Sequence, residues 1–344
     1  MLHTKVNDIS VEDLFSYYDR YNFLYPGKKK QLQPIFSEVR ENWEKALTLP
    51  WEYFLLLTYH NEDRDQFASV SAWRSTPSSY CIQHMVSNHP GNTRPILLHF
   101  LYILHGIRGN AIQVYFQPKT RFANNMFQYL ADTGGSAHSF KHSFSYFKVP
   151  SRPGALQWSP IFTEPLSRKN QDEVLKFVAT ERSSFYAWVQ DLDGQDFELS
   201  EIDKTYRQYN TTRSRKVIVF RDEHHRILGI AIVNKASLGL NFSLLENATE
   251  LILNSTLPRW ILDEAVNHML HHIQQEYEFS LLEQVPVLVD TEYEDLVRDF
   301  GGQLMRIYDY FSCDHTVIST WQNYLVEASG QVRKHLEEKQ KITT

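Results

Sequence analysis

The sequence predicts an α+β fold made of two consecutive copies of one unit, each a mixed, mostly antiparallel sheet flanked by helices. Two observations predict it. Both halves run through the same order: strand, polar loop, helix starting near a proline, strand, helix, glycine pair and aromatic-rich last strand. The chain also has 344 residues, 42% of them hydrophobic, which suffices for two ordinary cores. A repeated unit of this length is a domain rather than a solenoid repeat.

The first copy opens with helices and continues with strands. Ser10 can cap the first helix, and Glu12 and Asp13 then lie in its first turn, where the helix dipole favours negative charge. Pro26-Gly27 breaks the helical pattern, and a second helix follows. The remaining predicted elements are strands 53–59, 67–73 and 79–87, a loop over 88–94, a helix from Pro95, strand 111–116, a helix before Gly134-Gly135 and a hairpin-like segment ending at Val149.

The second copy repeats this order after a break. Residues 150–168 contain four prolines and little periodic pattern, which is typical of a linker. The elements predicted after it are helices 170–189 and 200–209, hairpin strands 216–220 and 227–233, strand 248–253, a loop over 254–257, a helix from Pro258, strand 285–289, a short helix before Gly301-Gly302 and strand 304–311. The predicted organisation is an N-terminal domain 1–149, a linker 150–168, a C-terminal domain 169–330 and a charged tail 331–344.

Composition argues against several classes of partner. The net charge is −6 and the pI is near 6.2, whereas nucleic-acid binding needs clustered Lys and Arg, and the run Lys28–Lys30 is short. Cys81 and Cys313 lie in apolar, strand-like segments without CxxC spacing, which indicates buried thiols in a reducing compartment. We find no signal-peptide core and no long apolar run, so the sequence predicts a cytoplasmic protein without a membrane partner. It does not indicate an oligomeric state.

The element order resembles the GCN5-related N-acetyltransferase (GNAT) superfamily in a tandem arrangement. Such domains usually carry Gln/Arg-X-X-Gly-X-Gly/Ala after the fourth strand, where glycines let backbone N–H groups approach the pyrophosphate of acetyl-CoA at a helix N-terminus. The first half keeps only one of these glycines, and the second-half loop has none. The resemblance implies acetyl-CoA or another acyl-CoA as co-substrate, bound in the first half by His89, Gly91, Asn92, Thr93 and Arg94.

The resemblance also implies a cleft in each copy, where the fourth and fifth strands diverge around the pantetheine arm. An amine then attacks the thioester, backbone N–H groups stabilise the oxyanion, a base removes the amine proton and a tyrosine protonates the thiolate. The candidate bases are His84 and Glu250, each the only ionisable residue on its strand apart from Tyr and Cys, and the candidate acid is Tyr129. In the alternative interpretation, His84 and Glu250 are solvated or hydrogen-bonded strand residues, and Tyr129 is a packing residue.

Three functions remain open at this point. The leading hypothesis is an acyl-CoA-dependent N-acyltransferase with at most one active half, acting on a small-molecule or peptide amine that the sequence does not identify. The alternative is a degenerate pair of domains that binds a ligand or partner as a regulatory module. A third is an aminoacyl transferase that uses charged tRNA, which the acidic balance disfavours. His268, His271 and His272 share a helix face, but no partner motif accompanies them, so no metal site is predicted.

Overall fold

The structure is a computed structural model that describes residues 4–63, 65–106, 111–151, 160–277 and 282–327. Residues 152–159 of the predicted linker and the predicted tail 331–344 lie outside these ranges. The strands are β1 (Lys5–Val6), β2 (Phe54–His60), β3 (Phe67–Thr76), β4 (Ser79–Ser87), β5 (Ala111–Phe116), β6 (Ser139–Pro150), β7 (Phe162–Pro165), β8 (Arg213–Arg221), β9 (Ile227–Ala236), β10 (Thr249–Leu253), β11 (Gln284–Asp290) and β12 (Gln303–Asp314).

The helices before residue 300 lie where the sequence predicts them, with differences at their ends, whereas the helix over 315–327 is not among the predicted elements. They are α1 (Val11–Arg20), α2 (Pro26–Leu32), α3 (Phe36–Ala46), α4 (Pro90–Gly106), α5 (Arg121–His138), α6 (Gln171–Glu181), α7 (Ser184–Val189), α8 (Ser200–Gln208), α9 (Arg259–Glu276), α10 (Glu294–Asp299) and α11 (315–327). Ser10 caps α1 as predicted, because its hydroxyl accepts a hydrogen bond from the Asp13 N–H at 3.0 Å. Among the described residues, no helix combines the length and apolar character needed to cross a membrane.

Two predicted helix boundaries are wrong. The helix expected from Pro95 begins at Pro90, so the segment read as a loop forms its first turn and Pro95 lies inside the helix. The helix expected over 170–189 is two helices, because the backbone at Arg182 leaves the helical region and Ser183 caps the next helix by accepting from the Tyr186 N–H.

The twelve strands form one sheet, in the order β1-β2-β3-β4-β5-β12-β6-β11-β10-β9-β8-β7. Each half supplies the same pattern: antiparallel strands, then a parallel pair, β4 with β5 and β10 with β11. The halves exchange their last strands, since β6 pairs with β11 of the second half while β12 pairs with β5 of the first. β6 and β12 also pair with each other and join the halves. The predicted hairpin-like segment is therefore a single long strand.

This architecture confirms the predicted fold class, a repeated unit of mixed sheet flanked by helices. It differs from two separate sheets because of the strand exchange. Each glycine pair supplies one residue in the region of positive φ that favours glycine: Gly135, the second of its pair, interrupts α5 at φ 62°, and Gly301, the first of its pair, follows α10 at φ 97°.

Helices cover both faces of the first half of the sheet. α4, α5 and α11 pack on one face around Phe100, Phe127 and Trp321. α1 and α3 pack on the opposite face around Trp43, together with Phe242 from the second half. The second half therefore completes the core of the first.

Candidate active site

β4 and β5 diverge in the middle of the sheet. Their parallel pairing runs from Ser79 with Ala111 to Ile82 with Val114 and then stops. β4 also carries a bulge just beyond this point, where its register with β3 shifts and His84 adopts φ 50°. A bulge of this kind bends a strand and turns its backbone groups away from the ladder. The predicted cleft is thus present in the first half, beside an irregular strand.

A cavity of about 390 Å³ lies at this divergence and reaches both faces of the sheet. On one face its walls are apolar and come from α4, α5 and α11, with Leu97, Met126 and Trp321 among them. On the other face its walls come from the segment between α1 and α2 and from the second half of the chain.

The second face of this cavity is polar and cationic. Lys28 of α2 and Arg306 of β12 line it, together with Asn22, Asn241 and Tyr308. None of the described residues that line the cavity is an Asp or a Glu. Three of these five residues belong to the second half, because strand exchange brings β12 beside β5 and the loop before β10 packs over β4.

His84 lines the cavity, but its ring is buried and engaged. Its Nε2 accepts a hydrogen bond from the Phe242 N–H at 3.2 Å, and its Nδ1 lies 3.4 Å from the Ser71 hydroxyl. The ring packs at 4.5 Å from the Phe242 ring. Burial, with a smaller contribution from the positive charge of Lys28, holds the pKa of His84 well below its usual value. The neutral imidazole therefore fixes the bulge of β4 against the second half.

Of the predicted cofactor-binding residues, His89 precedes α4 and the other four lie in its first turn, and none of the five lines the cavity. The Gly91 N–H donates to Nδ1 of the exposed His89 at 3.2 Å, and the Asn92 N–H donates to the His89 carbonyl at 3.0 Å. Asn92 is buried and its amide donates to Gln66, so it anchors the helix to the β2–β3 turn. Thr93 and Arg94 are half-buried in the same turn. The helix start is exposed, and a histidine side chain caps it.

Tyr129 lies on the outer side of α5 and is 47% exposed. Its ring packs against Tyr324 at 5.2 Å, and it does not line the cavity. The structure therefore brings His84 to the cavity and leaves Tyr129 apart from it.

The corresponding cleft of the second half is filled by a charged cluster. β10 and β11 pair only from Thr249 to Glu250, and the Arg182 side chain lies where they diverge. Arg182 contacts Glu250 at 3.4 Å and Asp290 at 2.7 Å, and its side chain is 2% exposed. The Tyr186 hydroxyl donates to the other oxygen of Glu250 at 2.7 Å. Glu250 is thus the partner of a buried arginine in a different cleft from His84.

Two opposing effects set the ionisation of this cluster. Burial raises the pKa of Glu250 in spite of the Arg182 guanidinium and the Tyr186 hydroxyl. Burial also opposes ionisation of Asp290, but hydrogen bonds from His142 and Arg182 outweigh it and hold the pKa of Asp290 below its usual range.

A carboxylate already occupies the helix start in the second half. Glu181 accepts a hydrogen bond from the Ser255 N–H at 3.2 Å in the loop before α9. The Asn254 side chain accepts hydrogen bonds from the N–H and the hydroxyl of Thr256, so side-chain oxygens already bind the N–H groups of Ser255 and Thr256. A negative charge at this place repels a pyrophosphate, which needs free N–H groups and a positive field.

The histidines of α9 pack on aromatic rings. His268 lies edge-on to Phe220 at 6.2 Å, and His271 lies edge-on to Phe300 at 4.9 Å. Within the described ranges, no group of three or more His, Cys, Asp or Glu side chains is placed to hold a metal ion.

Sequence reasoning missed the cationic end of the cavity. Lys28 is part of a short basic run in which its neighbours Lys29 and Lys30 are exposed, and it differs from them in packing over the Phe23 ring at 3.8 Å. Arg306 reaches the first half only through strand exchange. The helix break at Pro26-Gly27, next to aromatic residues, was the sequence signal that could have identified Lys28 as a buried lysine. No local sequence pattern identifies Arg306.

No protein-family model and no curated protein matches the chain. Solved structures match along most of its length. A Drosophila protein is 11% identical, with a TM-score of 0.46, over 91% of this chain and 99% of the other. A putative acetyltransferase from Pyrococcus horikoshii is 9% identical, with a TM-score of 0.45, over 92% and 90%. A tandem GNAT protein from the clavulanic acid biosynthesis pathway is 9% identical, with a TM-score of 0.37, over 91% and 98%.

Proposed function

We propose that this tandem GNAT-type chain binds an acyl-CoA between β4 and β5 and transfers the acyl group to an amine that enters from the opposite face of the sheet. The observation that carries the proposal is the contrast between the two clefts. The first opens into a cavity of about 390 Å³, whereas the second holds Arg182 between two carboxylates. One active half follows, and the other half has a structural role.

The open cleft suits an extended ligand. Beyond Ile82 and Val114 the facing edges of β4 and β5 no longer pair with each other, so their backbone groups can bind a pantetheine arm as they would bind a strand. The bulge at His84 interrupts the β3–β4 ladder, and backbone N–H groups that it frees from the ladder can stabilise the oxyanion of the tetrahedral intermediate.

The polar end of the cavity suits the acceptor. An amine is nucleophilic only in its neutral form, and nearby positive charges lower the pKa of its ammonium form. Lys28 and Arg306 supply those charges, so a bound amine loses its proton more readily than in water. His84 assists by holding the strand, since both of its ring nitrogens already face protein partners.

Thermal unfolding with acetyl-CoA and with longer acyl-CoAs tests the proposal. A ligand at a hundred times its dissociation constant stabilises the folded state by about 2.7 kcal/mol. Met85→Trp places an indole at the half-exposed wall of the cavity and should weaken this binding at least tenfold. We place the pyrophosphate of the cofactor at the exposed start of α4. A Cβ at Gly91 would lie 3.0 Å from the His89 ring, so Gly91→Val crowds this helix start and should weaken binding too.

Thr256→Ala is the matched control, because this exposed residue lies at the helix start of the second half. It should leave the stabilisation unchanged. If only Thr256→Ala abolishes the response, the assignment of the active half is reversed. If no acyl-CoA stabilises the chain, the proposal fails and the regulatory binding module replaces it.

A further inference from the structure

Positive charges collect at the polar end of the cavity without acidic partners. Lys28 and Arg306 line it, and Lys148 lies behind Arg306 on the neighbouring strand β6. Among the described residues, no Asp or Glu forms an ion pair with any of the three, although the chain as a whole is acidic. Lys28 is buried, whereas Arg306 and Lys148 are half-buried. A buried cation that merely stabilises a fold is normally paired.

The position of Lys28 is energetically unfavourable in the free protein. Its side chain is buried, with the ammonium 3.8 Å from the centre of the Phe23 ring and 5.5 Å from that of Tyr25. Burial lowers the pKa of Lys28 to about 8, with a further contribution from Arg306. Burial and Arg306 likewise lower the pKa of Lys148. The Phe23 and Tyr25 rings compensate only part of the cost of burying the Lys28 ammonium, so a negative ligand would relieve its repulsion by Arg306.

We infer that the acceptor of the proposed acyl transfer carries an anionic group, a carboxylate or a phosphate, and that Lys28 and Arg306 bind it. The inference rests on the proposed function. The arrangement favours an amine with a negative group over a simple cationic amine, because no carboxylate among the described lining residues can hold an ammonium ion. The second half then determines the acceptor, since it contributes Arg306, Asn241 and Tyr308 to this end.

Binding of two simple anions tests the site directly. Acetate and inorganic phosphate are titrated separately into the full chain by calorimetry, with Lys28→Met, Arg306→Gln and Lys30→Met as variants. Lys30 is the matched control, an exposed lysine on the same helix. We expect at least one anion to bind, and its affinity to fall at least tenfold in Lys28→Met and Arg306→Gln but not in Lys30→Met. The anion whose affinity falls in these two variants shows whether the acceptor group is a carboxylate or a phosphate.

Lys28→Met should also raise the melting temperature of the free protein, because it removes an unfavourable buried charge while keeping the apolar stem. Absence of anion binding, or equal losses in Lys30→Met, would overturn the inference. Acetyl-CoA stabilisation of the same variants separates the two proposals: if Lys28→Met loses the anion and keeps acetyl-CoA, both stand. If the wild type binds the anion at Lys28 but no acyl-CoA, the proposed function fails, and with it the assignment of the anion to an acyl acceptor, while the anion site itself remains.

Discussion

Arg182→Met should destabilise the protein strongly, because it removes the only cation that contacts both Glu250 and Asp290 among the described ion pairs. The three side chains are 2%, 6% and 10% exposed, so the carboxylates would be left with a desolvation penalty that water does not relieve. Breaking a buried pair from one side costs about 3–5 kcal/mol. Methionine keeps much of the apolar volume of the arginine stem, so the loss reports on charge.

Urea denaturation followed by tryptophan fluorescence measures this free energy of unfolding at pH 7.5 and at pH 4. The loss should shrink at the lower pH, because protonation removes the unpaired negative charges of the folded variant. Arg298→Met is the control, since Arg298 is 49% exposed in its pair with Glu294 and should contribute at most about 1 kcal/mol. If Arg182→Met lowers the free energy of unfolding as little as Arg298→Met does, a buried charge cluster does not stabilise the second cleft.

Two further predictions concern the contact between the halves. Gly239→Ala should destabilise the folded state by about 1–3 kcal/mol, because an added Cβ would lie 2.3 Å from the Val39 side chain and φ is 78°. Gly106→Ala is the control, because its Cβ would meet nothing within 4 Å, and it should be neutral or mildly stabilising in the same denaturation assay. Burial raises the pKa of Glu246 from 4.5 to about 8, so its ionised form is disfavoured in the folded state. The stability linked to this raised pKa is therefore fully present below pH 4.5 and is lost as pH rises to 8. The free energy of unfolding falls by about 1.4 kcal/mol for each pH unit between these values. Glu246→Gln should flatten the melting temperature measured from pH 5 to pH 8; an unchanged slope would contradict the assignment.

The order of elements was predictable because each strand and helix carries its own hydrophobic period. β8 and β9 illustrate this: an apolar run on each side of a polar turn gives a hairpin in which Val217 pairs with Ile232. The strand exchange was not predictable. β6 and β12 are both long and rich in aromatic residues, and either could pair with β5 or β11, so only the packing of the complete chain selects the partners.

The same limit applies to the site. The divergence of the fourth and fifth strands was expected from the family resemblance and the place of His84 from its position on the fourth strand, and the structure shows both. The sequence predicts too late a start for α4, because proline is typical of the first helical position, whereas Pro95 lies within the helix. Lys28 and Arg306 are 278 positions apart (306 − 28), and such a pairing leaves no spacing signal.

A crystal structure of the chain with bound acetyl-CoA would decide which cleft is active. We expect the pantetheine arm to lie between β4 and β5, with its thioester near the bulge at His84 and with Arg182 still in place between β10 and β11. An arm bound between β10 and β11 with Arg182 displaced, or acetyl-CoA bound outside both clefts, would contradict this expectation.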